Sequence, residues 1–230
     1  MSSNKKKLNF IVITGPTATG KTKVAVDIAY HNNGEIISAD SRQIYKGMDI
    51  GTGKDLGEYN INKKQIPYHL IDILDPREDY SVYQFQRDFL SSYNEIKKRG
   101  NLPILCGGTG LYIESILLKY KLQNAPGPNQ NLRQSLQEKS TEELLSLLEK
   151  ISPEKYQDPS KKDTKNRIIR TLEIELDKTT NEPDIFANQN INDFLVLGIK
   201  QERQDNRNLI KKRLIERLEE GLIEEVEGLI

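Results

Sequence analysis

The sequence predicts an α/β fold: a parallel sheet flanked by helices, carrying a phosphate-binding loop and interrupted by a helical insertion. Three observations point there. Gly15-Pro16-Thr17-Ala18-Thr19-Gly20-Lys21-Thr22 fits the phosphate-loop (P-loop) pattern G-x-x-x-x-G-K-[ST] at every fixed position. Short apolar runs alternate with helical patterns through the first half of the chain, as expected for strands joined by crossover helices. After Asn124-Ala125-Pro126-Gly127-Pro128 the strand signals stop, and they return only at Phe194.

Taken in order, Leu8 to Thr14 is a short apolar stretch that reads as a buried strand. Lys21 to His31 follows as a helix, with Val24, Ala25, Ile28 and Ala29 at helical spacing. Glu35 to Ser38 is a second strand and Tyr68 to Leu74 a third. Ser81 to Arg99 is an amphipathic helix, with Ser81 as its cap and Gly100 as its stop. Pro103 to Cys106 is a fourth strand, leading through Gly107-Gly108-Thr109-Gly110 into a helix from Leu111 to Leu118. Residues 124–191 form the insertion, with helices at Glu142 to Lys150 and Lys165 to Asp177. Phe194 to Ile199 is the fifth strand. Asn206 to Ile230 is a long charged helix broken at Gly221, and its pattern runs to the last residue without a stop signal. The core is thus expected over 1–123 and 192–230.

Composition narrows the function classes. Thirty-four basic residues balance 34 acidic ones, so long-range attraction to nucleic acid is not implied and any such contact needs a local patch. A single cysteine, Cys106, excludes an internal disulfide and suits the cytoplasm. Lys5-Lys6-Lys7 before an apolar run resembles the start of a signal peptide, but the run is too short and leads straight into the phosphate loop. No stretch is long enough to span a membrane.

The phosphate loop gives the chemistry its anchor. Glycines let backbone N–H groups turn inward, and these with a helix N-terminus cage phosphate oxygens. Lys21 adds a point charge and Thr22 a hydroxyl for Mg²⁺. Alone, the loop suggests a nucleotide such as ATP. In parallel sheets ligands bind at the carboxyl ends of strands, so Asp40, Thr109 and either Asp72 or Asp75 gather at the same rim. Asp40 is a helix cap or a general base. Asp72 or Asp75 holds a metal through water, or caps the turn before Pro76. The Gly107–Gly110 turn approaches a ligand or only opens a helix. The basic run Lys161 to Arg170 touches a nucleic-acid backbone or is a solvated helix face. His31 and His69 lack partners at metal-ligand spacing.

Together these blocks resemble the bacterial tRNA dimethylallyltransferase (tRNA isopentenyltransferase) family along nearly the whole chain. Residues 15–22 resemble its phosphate loop, and Ser38 to Thr52 its most specific block. His69 to Asp72, Tyr80-Ser81 with Phe85, and Gly107 to Tyr112 resemble further blocks, as do Asn166 to Glu173 and Gly221 to Val226. The resemblance implies transfer of a dimethylallyl group from dimethylallyl diphosphate to N6 of adenosine 37 in tRNA. Gly15, Pro16, Thr17, Ala18, Thr19, Gly20, Lys21 and Thr22, with Arg213, then hold the diphosphate. Asp40 is the general base, with Lys21 and Thr109 as catalytic partners, and Thr22 carries Mg²⁺. Asp40, Ser41, Arg42, Gln43, Thr109, Asn166 and Arg167 face tRNA.

The implied partners are dimethylallyl diphosphate and the tRNA anticodon stem-loop, gripped by the helical insertion, with the enzyme a monomer free of membranes. The chain departs from the family pattern at four positions. Arg42 stands where methionine is common, Gly53 where alanine is, Asn166 where glutamine is, and Leu209 where an arginine is. The family also continues through further helices past Ile230. A phosphate-loop kinase of a small molecule, and a shortened relative that binds without turnover, stay open as alternatives.

Overall fold

A computed structural model describes residues 8–122, 130–176 and 184–229. The lysine run at 5–7, the boundary at 124–128, Asp177 and Ile230 lie outside the described residues. The chain divides into two compact units, Met1–Tyr120 with Ile185–Ile230, and Lys121–Asp184.

The first unit begins with β1 (Phe10–Thr14), α1 (Lys21–Asn32) and β2 (Gly34–Ser38). A 3₁₀ turn (Leu56–Tyr59) and a small hairpin, β3 (Asn60–Ile61) and β4 (Lys64–Gln65), precede β5 (Tyr68–His69). Then come α2 (Val82–Lys98), β6 (Leu102–Gly107) and α3 (Gly110–Leu117). Five parallel strands pair in the order β5-β2-β6-β1, with a fifth, β7 (Phe194–Gly198), beside β1. β1 lies between β6 and β7, so the chain leaves it at the point where strand order reverses. Such points open a crevice at the carboxyl ends of the strands.

The alternation of side chains along each strand divides the core in two. Ile11, Ile13, Ile36, Ile104 and Cys106 pack on the α1 side with Ala25, Val26 and Ala29. Phe10, Val12, Ile37 and Leu105 pack on the other face with Phe85, Phe89, Tyr93 and Ile96 of α2 and Tyr112, Ile113 and Ile116 of α3. Phe10 meets Phe89 and Tyr93 edge-on, each at 5.9 Å between centroids. Ser81 caps α2 in a reciprocal capping box with Gln84, which satisfies two helix-end donors at once. Phe186 and Ile191 also join the α2-side core, so 185–191 belongs with the sheet and not with the insertion.

The strand expected over Tyr68 to Leu74 stops at His69. Leu70 and Asp72 take left-handed backbone, φ 61° and 56°, which breaks the ladder. The apolar character persists because Leu70 and Ile71 are still buried, and a lone bridge joins Tyr45 to Leu74. The charged C-terminal helix starts earlier than expected, as α8 (Arg203–Glu219). Gly221, at φ 102°, separates it from a short helix that follows α8 (Leu222–Glu227).

The second unit is helical, with segments at Gln130–Gln137, Thr141–Ile151, Pro153–Gln157 and Lys165–Leu176. We number these α4 to α7, so that Leu222–Glu227 is α9. Leu136, Leu144, Leu148, Ile168, Ile169 and Leu172 form its core. Ser140 and Glu143 make a second capping box at the head of α5. Buried Glu173 is held by Arg133 and Arg170. Among the described residues no helix is long and apolar enough to cross a membrane.

One buried carboxylate locks the far end of the sheet. Glu35, 3% exposed, accepts from Arg99 Nε and Nη2 at 2.9 and 2.8 Å, Asn101 Nδ2 at 2.7 Å and His69 Nε2 at 2.7 Å. Burial alone would raise its pKa, but these donors outweigh it and bring the carboxyl down to about 2 from its usual 4.5. The depressed pKa makes Glu35 stabilising above the unfolded value, with the contribution lost as pH falls through the folded one. Glu35→Gln should therefore cost on the order of 3 kcal/mol at neutral pH. Urea unfolding at a series of pH values should show the gap to the unmodified protein closing between about pH 4.5 and pH 2.

Candidate active site

The phosphate loop joins β1 to α1 where strand order reverses. Gly15 is required by contact: a Cβ there would lie 2.5 Å from the Ile199 carbonyl oxygen, and its φ is 154°. Ile199 reaches that position because its N–H donates to the Thr14 carbonyl at 2.8 Å, extending the β1–β7 ladder. Gly20, left-handed at φ 77°, forms the N-cap of α1. Within the loop, Thr19 Oγ1 and Lys21 Nζ both donate to the Pro16 carbonyl, at 2.8 and 2.7 Å. Burial pushes the Lys21 pKa down, while Cys106 and Asp40 pull it back up.

The segment after β2 is stitched to the neighbouring strand end. Ala39 N–H donates to the Cys106 carbonyl at 2.8 Å, and Thr109 N–H donates to the Ala39 carbonyl at 3.1 Å. A Cβ on Gly107 would sit 2.2 Å from the Ala39 oxygen, which explains the first glycine of the Gly107–Gly110 turn. Thr109 caps α3 by position, yet its side chain turns to the β2 loop: Oγ1 accepts from Ser41 N–H at 3.0 Å and bonds to Ser41 Oγ at 3.3 Å. Asp40 Oδ1 accepts from Arg42 N–H at 2.9 Å in a local turn. Oδ2 takes part in none of the described hydrogen bonds. Arg42 itself is exposed. Gln43 is tied at both ends of its amide, to Ser38 Oγ at 3.2 Å and to the Gly53 carbonyl at 3.0 Å.

A buried cation holds this loop in shape. Lys54, 2% exposed, donates to the Tyr45 carbonyl at 2.7 Å, to Asp49 Oδ1 at 2.6 Å and to Asp72. Asp72 is thereby occupied as a structural partner. Asp75 lies at the surface, bonded by Arg77 through its backbone and its guanidinium, which hold the carboxyl well below the usual range. Neither aspartate lines the cleft described next.

The loop, Asp40, Gln43 and the face of α8 enclose a cleft of about 430 Å³. Lys21, Thr22 and Asp40 share it with Arg213, so the structure brings the phosphate loop, the candidate base and that arginine together. Ser41, next to Asp40 in the chain, and Thr109, bonded to Ser41, do not themselves line the cleft, and neither does Arg42. Asn166 and Arg167 lie in the other unit, on the first turn of α7, where Arg167 pairs with Asp163. Sequence reasoning missed several cleft residues: Gly53, Asp55, Glu58, Lys212 and Arg217. The one signal for the last is its spacing, since Leu209, Arg213 and Arg217 repeat every four residues along one helix face. Arg213 bonds to Asp55, which draws α8 against the loop after Gly53. Burial and the neighbouring Asp55 push the Glu58 carboxyl up.

A phosphate loop at the switch point of a parallel sheet, with a carboxylate lining the same cleft, defines a phosphate-loop α/β protein whose cleft suits a phosphorylated ligand. Comparison with known proteins narrows the class. The IPP transferase family matches residues 43–230, and the isopentenyl transferase family matches residues 8–65. The tRNA dimethylallyltransferase 1 of Parabacteroides distasonis is 49% identical over 225 residues, covering 98% of this chain and 72% of that protein. The tRNA dimethylallyltransferase 2 of Bacteroides fragilis is 50% identical over 224 residues, covering 96% and 71%. Among solved structures, the full-length tRNA isopentenylpyrophosphate transferase of Bacillus halodurans superposes with a TM-score of 0.63 at 36% identity, over 97% of this chain and 70% of that one. A eukaryotic dimethylallyltransferase solved acting on tRNA gives a TM-score of 0.77 at 27% identity, over 96% and 55%. The chain belongs to the tRNA dimethylallyltransferase family.

Replacing Lys54 with methionine leaves Asp49 and Asp72 without their common cation. Asp49 and Asp72 are themselves partly exposed, so Lys54→Met should destabilise the fold by about 1 to 2 kcal/mol. Amide exchange should speed up across residues 41–54 before it does in β1 or β6; uniform exchange would show that Lys54 does not hold the loop.

Proposed function

We propose that this chain transfers a dimethylallyl group from dimethylallyl diphosphate to N6 of adenosine 37 in tRNA, releasing diphosphate, in the cytoplasm. The observation that carries the reading is one cleft holding both halves of the reaction, the phosphate loop with Lys21 and the carboxylate of Asp40. Its family membership supplies the acceptor.

The allylic C1–O bond breaks and its electrons pass to the diphosphate. The loop N–H groups of Gly15 and of Thr17 to Thr22, the Lys21 ammonium and Arg213 stabilise that charge where it develops. The adenine amine is a weak nucleophile because its lone pair is delocalised. As the N6–C1 bond forms, Asp40 takes the N6 proton on Oδ2 while Oδ1 stays bonded to Arg42 N–H. Thr109 positions this base through Ser41 and borders the acceptor.

Mg²⁺ fits the site as an ion that keeps water and phosphate ligands. The described residues offer no cluster of three acidic, His or Cys groups, and the Thr22 hydroxyl at the head of α1 is a suitable oxygen donor beside a diphosphate. When bound, it adds charge neutralisation at the leaving group.

Adenosine 37 must leave the anticodon stack to reach Asp40. On this reading Ser41, Arg42 and Gln43 border the entering nucleotide, and Asn166 and Arg167 hold the stem. The Arg167–Asp163 pair is exposed, so exchanging it for an RNA phosphate costs little.

The test is incubation with dimethylallyl diphosphate, Mg²⁺ and unmodified tRNA, with N6-dimethylallyl adenosine as the product. Asp40→Ala should lower turnover by about 10²- to 10⁴-fold while diphosphate binding stays nearly unchanged. Phosphate transfer from ATP with no prenylated product would replace this reading with that of a kinase.

A further inference from the structure

The cleft contains four cationic side chains, Lys21, Lys212, Arg213 and Arg217. Lys21 belongs to the phosphate loop and Arg213 is paired with Asp55 at the cleft edge. Arg217 is different. Among the described residues it makes no ion pair, and its hydrogen bond is a long one, from Nη1 to the Gly51 carbonyl at 3.5 Å. Half-burial in the cleft lowers its pKa, and the Arg213 charge one turn earlier adds to this. Asp55, Glu220 and Glu225 oppose the effect from a distance. Two of these carboxylates are engaged elsewhere: Asp55 with Arg213, and Glu225 with the backbone N–H groups of Asp49, Ile50 and Gly51 at 2.7, 2.6 and 2.8 Å. A guanidinium so placed still has donors and charge for an anion.

The backbone beneath it is shaped to admit it. Gly53 has φ 62°, and a Cβ built there would lie 1.7 Å from Arg217 Nη2, 2.8 Å from its Cζ and 3.2 Å from Arg213 Nη2. The Arg217 head therefore rests where any side chain at position 53 would be. Gln43 fixes that same peptide by donating to the Gly53 carbonyl, which connects the seat to the loop carrying Asp40.

We infer that Arg217 is a second arginine ligand of the diphosphate and that Gly53 is its seat, an inference that rests on reading the cleft as the diphosphate site. Arg213 and Arg217 then form one cationic wall on α8, facing the phosphate loop. A Cβ at position 53 would have to displace the Arg217 head from this position.

Calorimetric titration with inorganic diphosphate tests this on the full chain, comparing the unmodified protein with Lys21→Ala, Arg217→Gln, Arg217→Lys, Gly53→Ala and the Gly53→Ala/Arg217→Gln double variant. Circular dichroism melts confirm that each is folded. Arg217→Gln should weaken binding by on the order of 10- to 100-fold, and Arg217→Lys should recover part of the loss. Gly53→Ala should weaken binding similarly, and the double variant no more than either single one, because both act through the same contact. If Lys21→Ala abolishes binding and Arg217→Gln leaves it intact, the inference falls while the cleft reading stands. If the unmodified protein does not bind diphosphate, both fall. Additive losses in the double variant would overturn the role of Gly53 as the seat.

Discussion

Backbone pairing that continues past the ends of the strands fixes the site. Ile199 N–H reaches the Thr14 carbonyl, Ala39 N–H reaches the Cys106 carbonyl, and Thr109 N–H reaches the Ala39 carbonyl. Three loops that elsewhere would splay apart are thus held at ladder distance after their strands have ended. Such proximity leaves no room for a Cβ at Gly15 or Gly107. It also sets the spacing between the phosphate loop and Asp40 without relying on side chains. Loops carrying function tend to be the mobile part of a fold; here the first residues of each are an extension of the sheet.

Beyond those first residues a second kind of support takes over. The stretch from Asp40 to Lys54 contains no regular element, and its form is held by polar contacts. Lys54 gathers Tyr45, Asp49 and Asp72; Gln43 joins Ser38 to Gly53; Thr109 holds Ser41. Breaking one member of such a network leaves its partners unsatisfied, which is why these groups act as a unit. A candidate base on this segment is consequently positioned more firmly than its lack of secondary structure would suggest.

Much of this was legible in the chain. Glycine, lysine and threonine at fixed spacing name the phosphate loop, and Ser81 with Gln84 marks a helix start. What was hidden has physical reasons. The apolar run Tyr68 to Leu74 gives no sign that Leu70 and Asp72 adopt left-handed backbone, because burial continues after pairing stops. The hairpin of β3 and β4 turns through Asn62 and Lys63, both at positive φ, without the glycine that usually announces such a turn. α4 has a polar composition, and Leu132 and Leu136 are its only large apolar residues. Arg217 sits in a helix so rich in charge that no one charge stands out; the bare backbone of Gly53 is what distinguishes it. The resemblance to a family supplied Asp40 and Arg213 with roles that spacing alone left open.

Glu225 bonds to three successive backbone N–H groups of Asp49, Ile50 and Gly51, an arrangement proteins often reserve for a captured anion. In this chain the anion is its own. α9 thus behaves as a tethered ligand of the segment that also carries Gly53 and Lys54. Binding free energies between coupled sites are reciprocal. A diphosphate that steadies the Gly53 side of the segment should tighten the docking of α9, and a docked α9 should return the favour by the same factor. With diphosphate bound as proposed, α9 would take part in holding it without touching it.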